Sequence, residues 1–275
     1  MMTFQRNDLE RLADIVSIAA DQEIMPRFRK LSAGAVREKT SALDLVTDAD
    51  EAAEAAIKAA VAKAFPKAAF IGEESVEKDH GLLGKISDAE LAIIIDPVDG
   101  TSNFAWGLPL FGVLAAVTSH GETIGGIIYD PVGRDCTFAL KSHGAWAKSE
   151  SGSTRDLRVS KPAALSQMTG TASWYLMPEP LRSQVAANLA KIKASFAYRC
   201  AAYEYRLVGS GLVDFSLHYK LMPWDHAAGV LIHAEAGGYS ALYDGSPYAP
   251  TKLAGGLILA PSKENWQALR DALVG

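Results

Sequence analysis

Two carboxylates, Asp96 and Asp99, stand in the run Asp96-Pro97-Val98-Asp99-Gly100-Thr101-Ser102-Asn103-Phe104, directly after the apolar residues Leu91, Ala92, Ile93, Ile94 and Ile95. No Lys or Arg lies between Leu91 and Phe104 to neutralise them. Two carboxylates about 4 Å apart repel by roughly 4 kcal/mol at an effective dielectric of 20, so a turn that brings them together calls for a shared proton or a metal ion. Mg²⁺ suits that demand, being a hard cation that takes oxygen ligands and commonly shares them with a phosphate. Pro97 lacks an amide donor and turns the chain out of the strand, and Gly100 allows the close backbone approach a ligand needs. The same residue types also describe an ordinary polar turn in which an Asp caps the following helix.

Residues 91–95 are too few for a helix and rich in β-branching, so they read as a strand buried on both faces. Residues 100–121 carry no Asp, Glu, Lys or Arg. Thr101, Ser102, Asn103, Gly107 and Pro109 break that stretch, however, and residues 110–117 read as a second buried strand rather than a membrane span. Upstream, Leu9, Leu12, Val16, Ala19 and Ala20 recur at helical spacing and predict an amphipathic helix over residues 5–31. A second helix starts at Asp48, with Ile57, Val61, Ala64 and Phe65 along one face. Thr47 or Asp48 can cap it, with Asp50 or Glu51 three positions on. Taken alone, Asp50 is thus a first-turn carboxylate facing a helix dipole.

A short strand through Phe70 and Ile71 ends in Gly72, Glu73, Glu74 and Ser75. Alternation on extended backbone would aim one glutamate at a site and the other at solvent. Residues 76–88 are polar and read as a loop. Residues 111–117 and 124–129 form a hairpin about His120, Gly121 and Glu122, extended by residues 137–140 and 145–147. The Ser- and Gly-rich residues 149–155 divide the chain into halves 1–150 and 151–275 of one compact unit. The second half alternates helix and strand. Its buried helix, beginning near Pro223 and stopped by Gly237 and Gly238, places Asp225 at its positive end.

Length and composition, 275 residues with 49% hydrophobic and 21% charged, describe a globular chain with a substantial core. A net charge of -5 gives no general reason to expect a nucleic-acid polymer as partner. Cys136 and Cys200 fit a reducing compartment and lack zinc-like spacing. His80, His120, His143, His226 and His233 form no paired metal motif, and there is no P-loop or dinucleotide fingerprint. The start, MMTFQRNDLE, runs straight into a charged amphipathic pattern rather than a signal peptide, so a cytoplasmic location without membrane contact is expected.

The strand followed by DPVDGTSNF resembles the inositol monophosphatase family, whose motif is DP(I/V/L)DGT(T/S)NF. Further stretches match the same family in order: Lys39 with Asp44, Leu45, Val46, Thr47 and Asp50; then Gly72-Glu73-Glu74-Ser75; then Trp224-Asp225 with Ala227, Ala228 and Gly229, followed by Glu235-Ala236-Gly237-Gly238. The spacing of Asp96 and Asp99 differs from the DxDGT motif of the haloacid dehalogenase type, in which an Asp attacks phosphorus. The resemblance implies an α+β chain folded as a layered αβαβα sandwich of the inositol monophosphatase and fructose bisphosphatase type, acting as a Mg²⁺-dependent, lithium-sensitive phosphatase and homodimer. It implies that Glu73, Asp96 and the Val98 carbonyl hold one metal while Asp96, Asp99 and Asp225 hold another. Two such ions polarise phosphoryl oxygens, activate water and stabilise the leaving oxygen. Thr101 with Asp50 would orient and deprotonate the attacking water, and Lys39 would order the site. The amides of Gly100, Thr101 and Ser102, opening a short helix, suit a phosphate.

The expected substrate is a small phosphorylated polyol or sugar. Fructose-1,6-bisphosphatase, histidinol-phosphatase and 3′(2′),5′-bisphosphate nucleotidase are the alternative activities, and a non-catalytic metal- or phosphosugar-binding protein is the alternative class. Inositol-specific members place a Glu at the position of His218, with Lys220 two residues on. Ala201 matches the family, whereas Tyr198-Arg199-Cys200 before it looks shortened. Lys and protonated His donate and favour anions, so His218 and Lys220, on one side of an extended strand, point towards substrates with a second anionic group.

Overall fold

A computed structural model describes residues 4–32, 34–41 and 44–275; the side chain of Asp44, part of one matching stretch, lies outside the described residues. The first helix, α1 (Arg6–Ala19), buries Leu9, Leu12 and Val16 and continues as a π turn through Ile24. It stops short of the expected residue 31, since Pro26 cannot continue the backbone ladder. A hairpin of β1 (Val36–Ser41) and β2 (Asp44–Thr47) leads into α2 (Asp48–Ala64). Thr47 caps α2, accepting from the Ala49 amide at 3.2 Å, while the Asp50 carboxylate reaches back to the Thr47 amide at 2.9 Å.

After β3 (Ala69–Gly72), the residues expected as a loop are helical. They form α3 (Glu73–Lys78), a 3₁₀ turn and α4 (Lys85–Asp88), which bury Val76 and Ile86. Next come β4 (Ala92–Asp99), α5 (Thr101–Ala105), β5 (Gly112–Ser119), β6 (Glu122–Asp130), β7 (Asp135–Leu140), β8 (Ala145–Lys148) and β9 (Thr154–Asp156). The strands β3 to β9 make one seven-stranded sheet in chain order, parallel only between β3 and β4. Because β9 pairs with β8, this sheet runs past residue 150.

The rest of the chain is β10 (Thr169–Ala172), α6 (Leu181–Asn188), β11 (Ala194–Phe196), α7 (Ala201–Gly209), β12 (Phe215–His218), α8 (Pro223–Glu235), β13 (Tyr239–Leu242), β14 (Leu257–Ala260) and α9 (Lys263–Leu273). A five-stranded sheet has the order β11-β10-β12-β14-β13. Packing gives five layers: α1 and α2, the larger sheet, α7 and α8, the smaller sheet, then α6 and α9.

β4 shows why the central strand must be apolar on both faces. Ile93 and Ile95 join the core beneath α1 and α2, whereas Ala92 and Ile94 join the opposite core with Trp224, Ala227 and Ala228 of α8. The small residues of α8 allow very close packing. A Cβ on Gly126 of β6 would lie 2.8 Å from the Ala228 carbonyl, and one on Gly229 would lie 2.1 Å from the Tyr205 ring of α7. α8 is thereby fixed between a sheet and a helix, and its first turn is fixed with it.

Candidate active site

In a regular strand, residues three apart face opposite sides. Asp96 pairs with Leu114 and Asp99 with Gly112, so three steps on β4 match two on β5. This bulge turns both carboxylates to one side. Asp225, in the first turn of α8, completes a trio in which one carboxylate oxygen of each residue lies within 4.8 Å of the others. The Val98 amide donates to Asp96 Oδ1 at 3.0 Å, and the Ala202 amide to Asp99 Oδ2 at 2.6 Å.

Burial pushes the Asp96 and Asp225 carboxyls well above the ordinary range, and the charges of Glu73 and Asp99 push further the same way. Asp99 rises only to about 6, since the Cys200 thiol and the Ala202 and Ala201 amides bond its ionised form against the cost of burial. An all-oxygen, mutually repelling set fits a hard divalent cation, which would relieve both the repulsion and the desolvation.

Glu73 does not join the trio. It opens α3, and Lys39 Nζ lies 2.8 Å from its Oε1 and 2.5 Å from Oε1 of Glu74. Glu74 is buried rather than turned to solvent, because Glu73 begins a helix and strand alternation does not apply there. Burial alone would pull the Lys39 ammonium down, but Glu73 and Glu74 hold it above its usual value. Glu54 of α2, which sequence reasoning missed, accepts from the Glu74 amide at 2.7 Å and from Ser75 Oγ at 2.6 Å.

Asp50 is buried, and its Oδ2 accepts from Thr47 Oγ1 at 2.5 Å. Burial lifts its carboxyl to about 7; the bond from Thr47 opposes that shift, and the charges of Glu73 and Glu74 add to it. Thr101 Oγ1 stands 3.2 Å from Asp50 Oδ1 and 2.9 Å from the Val98 carbonyl, the oxygen expected to serve a metal. One hydroxyl therefore connects a carboxylate of α2 to the turn that carries the trio.

A cavity of about 440 Å³ opens over the trio, Glu73, Lys39 and Thr101, with Asp50 outside its lining, and is bounded also by Gly100, Ser102, Ala201, His218 and Lys220. Gly100 takes φ 86°, and a Cβ there would lie 2.8 Å from the Leu110 carbonyl, so this tight turn requires glycine. Both amides of Ala201 and Ala202 are drawn to Asp99. His218 corrects the expectation of a cationic pair. It is buried, its Nε2 lies 2.7 Å from Ser216 Oγ, and its ring stacks on Tyr205 at 5.2 Å between centroids. Burial, with His226 beside it, pulls its pKa well below the ordinary histidine value, so the ring is neutral. Lys220 lies beyond the end of β12 and is exposed.

The sequence matches the model of the inositol monophosphatase family over residues 8–274. The chain belongs to the inositol monophosphatase family. Among similar family proteins, a Thermotoga maritima fructose-1,6-bisphosphatase/inositol-1-monophosphatase is 32% identical over 213 residues, 76% of each chain. The Haemophilus influenzae Nus factor SuhB is 35% identical over 225 residues, covering 80% of this chain and 79% of that one. A solved Thermotoga maritima IMPase superposes with a TM-score of 0.79 at 25% identity, covering 98% of this chain and 96% of that chain. The layered α+β architecture is that of the family.

Two neighbours in this family member's site carry no motif in the sequence. Cys200 Sγ lies 3.0 Å from Asp99 Oδ2, and Glu204 Oε1 accepts from the Tyr198 amide at 3.0 Å. The signal that could have found Glu204 is its helical offset from Cys200 and Ala201, which puts an ionisable residue on the inward face of α7.

Proposed function

We propose that the protein is a Mg²⁺-dependent phosphomonoesterase acting on a small phosphorylated polyol or sugar by direct attack of water. The observation that carries this reading is the Asp96, Asp99 and Asp225 trio sharing one cavity with Thr101, whose hydroxyl bonds the buried Asp50. Asp96, Asp99 and Asp225 would hold the cation, with Glu73 and the Val98 carbonyl beside them, and the bound ions would supply Lewis acidity and a lowered water pKa. Thr101 Oγ1 orients the attacking water, and its bond to Asp50 gives the water proton a path to that carboxylate. A carboxyl titrating near 7 is matched to taking a proton at neutral pH. The first turn of α5 presents Gly100, Thr101 and Ser102 to the phosphate. Lys39 ties Glu73 to Glu74 and so fixes α3 against the site.

Asp96 and Asp99 are both spent as ligands, which leaves neither to form a phosphoenzyme. The presence of every expected acid favours catalysis over binding alone. Phosphate release from a panel of monoesters, with Mg²⁺ and with EDTA, tests the reading. Turnover that needs Mg²⁺ or Mn²⁺, is suppressed by Li⁺ and is abolished in Asp99→Asn is expected. Undiminished turnover in EDTA, or a phosphoaspartate trapped at Asp96, would overturn it. A homodimer in the cytoplasm belongs to the same proposal on family resemblance, and sedimentation reads the assembly directly.

A further inference from the structure

The first turn of α3 has no cap of its own. Gly72, which precedes it, carries no side chain, so the amides that open the helix need an acceptor from elsewhere in the fold. Glu74 in that turn is buried, which keeps water from the part, and Glu54 of α2 takes it. Glu54 is itself only 4% exposed, and both of its oxygens are engaged. Its Oε2 accepts from the Glu74 amide at 2.7 Å and its Oε1 from Ser75 Oγ at 2.6 Å. A Cβ on Gly72 would lie 2.3 Å from this carboxyl, so the glycine is what lets it approach.

Asp50 and Glu54 stand one turn apart on α2 and therefore share a face. Asp50 Oδ1 meets Thr101 Oγ1 at 3.2 Å, beside the turn that carries Asp96 and Asp99, while Glu54 meets α3. A single turn of a 17-residue helix thus sets α3 in register with the carboxylate trio. Glu73 immediately precedes the amide that Glu54 holds, so the direction of its side chain follows from that bond. Lys39 joins the Glu73 and Glu74 side chains, but it does so from a flexible stem and leaves the backbone of α3 to Glu54. Glu54 does not line the cavity. We propose that Glu54 is a positioning residue of the metal centre, which fixes the start of α3 and so aims Glu73 at the cation. This rests on the phosphatase reading above, in which Glu73 stands beside the trio, and adds to it a residue that touches neither cation nor substrate.

A double-mutant cycle of E54L and E73Q tests it, read by calorimetric titration of the metal-free protein with Mn²⁺ in the absence of substrate. E73Q identifies the cation that depends on Glu73. E54L should weaken the same cation by about ten- to a hundredfold, as loss of a residue that orients a ligand does. In the E73Q background, E54L should change binding by less than about twofold, because the ligand it aims is already gone. E54Q, whose amide oxygen still accepts from the Glu74 amide, should restore most of the affinity, and excess Mn²⁺ should recover kcat in E54L. Thermal unfolding in EDTA reads stability separately. If E54L does not fold, S75A, which removes only the bond to Oε1, should show a smaller loss with the same dependence on Glu73. Unchanged affinity in these variants, losses that add to that of E73Q, or cation binding that E73Q leaves untouched would overturn the assignment. Intact, Glu54-dependent cation binding with no phosphate released from any ester would instead overturn the phosphatase reading and leave the role of Glu54 standing.

Discussion

Asp50 serves two structures at once. One carboxylate oxygen completes the capping box of α2 with Thr47, and the other faces Thr101 beside the trio. Asp50→Asn keeps an acceptor for the cap but removes the base, so kcat should fall by about 10²- to 10⁴-fold with little change in helix content or thermal stability. Steady-state kinetics with circular dichroism checks both halves. In wild type, activity should drop as pH falls through about 7, since only ionised Asp50 accepts a proton. The Asn variant should lose that limb of the profile. At this scale the sequence was informative wherever a side chain's partner lies nearby in the chain, as Thr47 does for Asp50. Glu74, Glu204 and Cys200 could not be read, because what buries them comes from remote segments. His218 shows the same limit: its chemical type pointed to a cation, and its surroundings make it neutral.

The elements that carry the site were legible in proportion to their length and apolar content. β4 declared itself by an unbroken apolar run, and α8 by helical spacing with a glycine stop. Residues 76–88 did not, since their helical turns are too short to show a period and are held by burial of Val76 and Ile86. β10 and β13 were missed for a related reason: Thr169-Gly170-Thr171-Ala172 and Tyr239-Ser240-Ala241-Leu242 mix small and polar residues without an apolar run and take their conformation from sheet neighbours. α8 also contains a prediction. His233 is fully buried, and neither ring nitrogen has a hydrogen-bond partner among the described residues. Burial drops its pKa to about 3 from an ordinary 6.5. The unfolded chain therefore binds the proton first, and the stability due to the neutral ring is complete above pH 6.5 and lost as pH falls towards 3. Each pH unit in that window costs up to about 1.4 kcal/mol. Urea unfolding of His233→Phe should show a shallower loss of stability between pH 6 and 4 than wild type.

Across the whole molecule, the trio draws Asp96 and Asp99 from the larger sheet and Asp225 from the helical layer between the sheets, so cation binding and tertiary packing are linked. Burial, with the charge of Glu73 beside it, raises all three carboxyls, and these shifts cost stability as pH climbs from the ordinary Asp range through the raised values. A bound cation reverses that cost, because it needs the ionised forms. The rise in Tm on adding Mg²⁺ should therefore grow from pH 5 to pH 8, and in Asp225→Asn it should be small throughout. Differential scanning fluorimetry over that range measures both.

The contact of Gly126 with α8 has a consequence for ion size. A methyl group on Gly126 would meet the Ala228 backbone at 2.8 to 3.1 Å, and neither the sheet nor the helix has a flexible side chain there to yield. The helix must lift by a few tenths of an ångström, carrying Asp225 away from Asp96 and Asp99. Mg²⁺ binds oxygen at about 2.0–2.1 Å in strict geometry, whereas Ca²⁺ accepts about 2.3–2.6 Å and irregular shells. Titration calorimetry of Gly126→Ala should accordingly find Mg²⁺ affinity reduced by more than Ca²⁺ affinity. Equal losses for both ions would mean that Asp225 had not moved, and a preference shifted towards the larger ion would show that a hydrogen atom on the middle strand of a sheet sets the bore of the metal site.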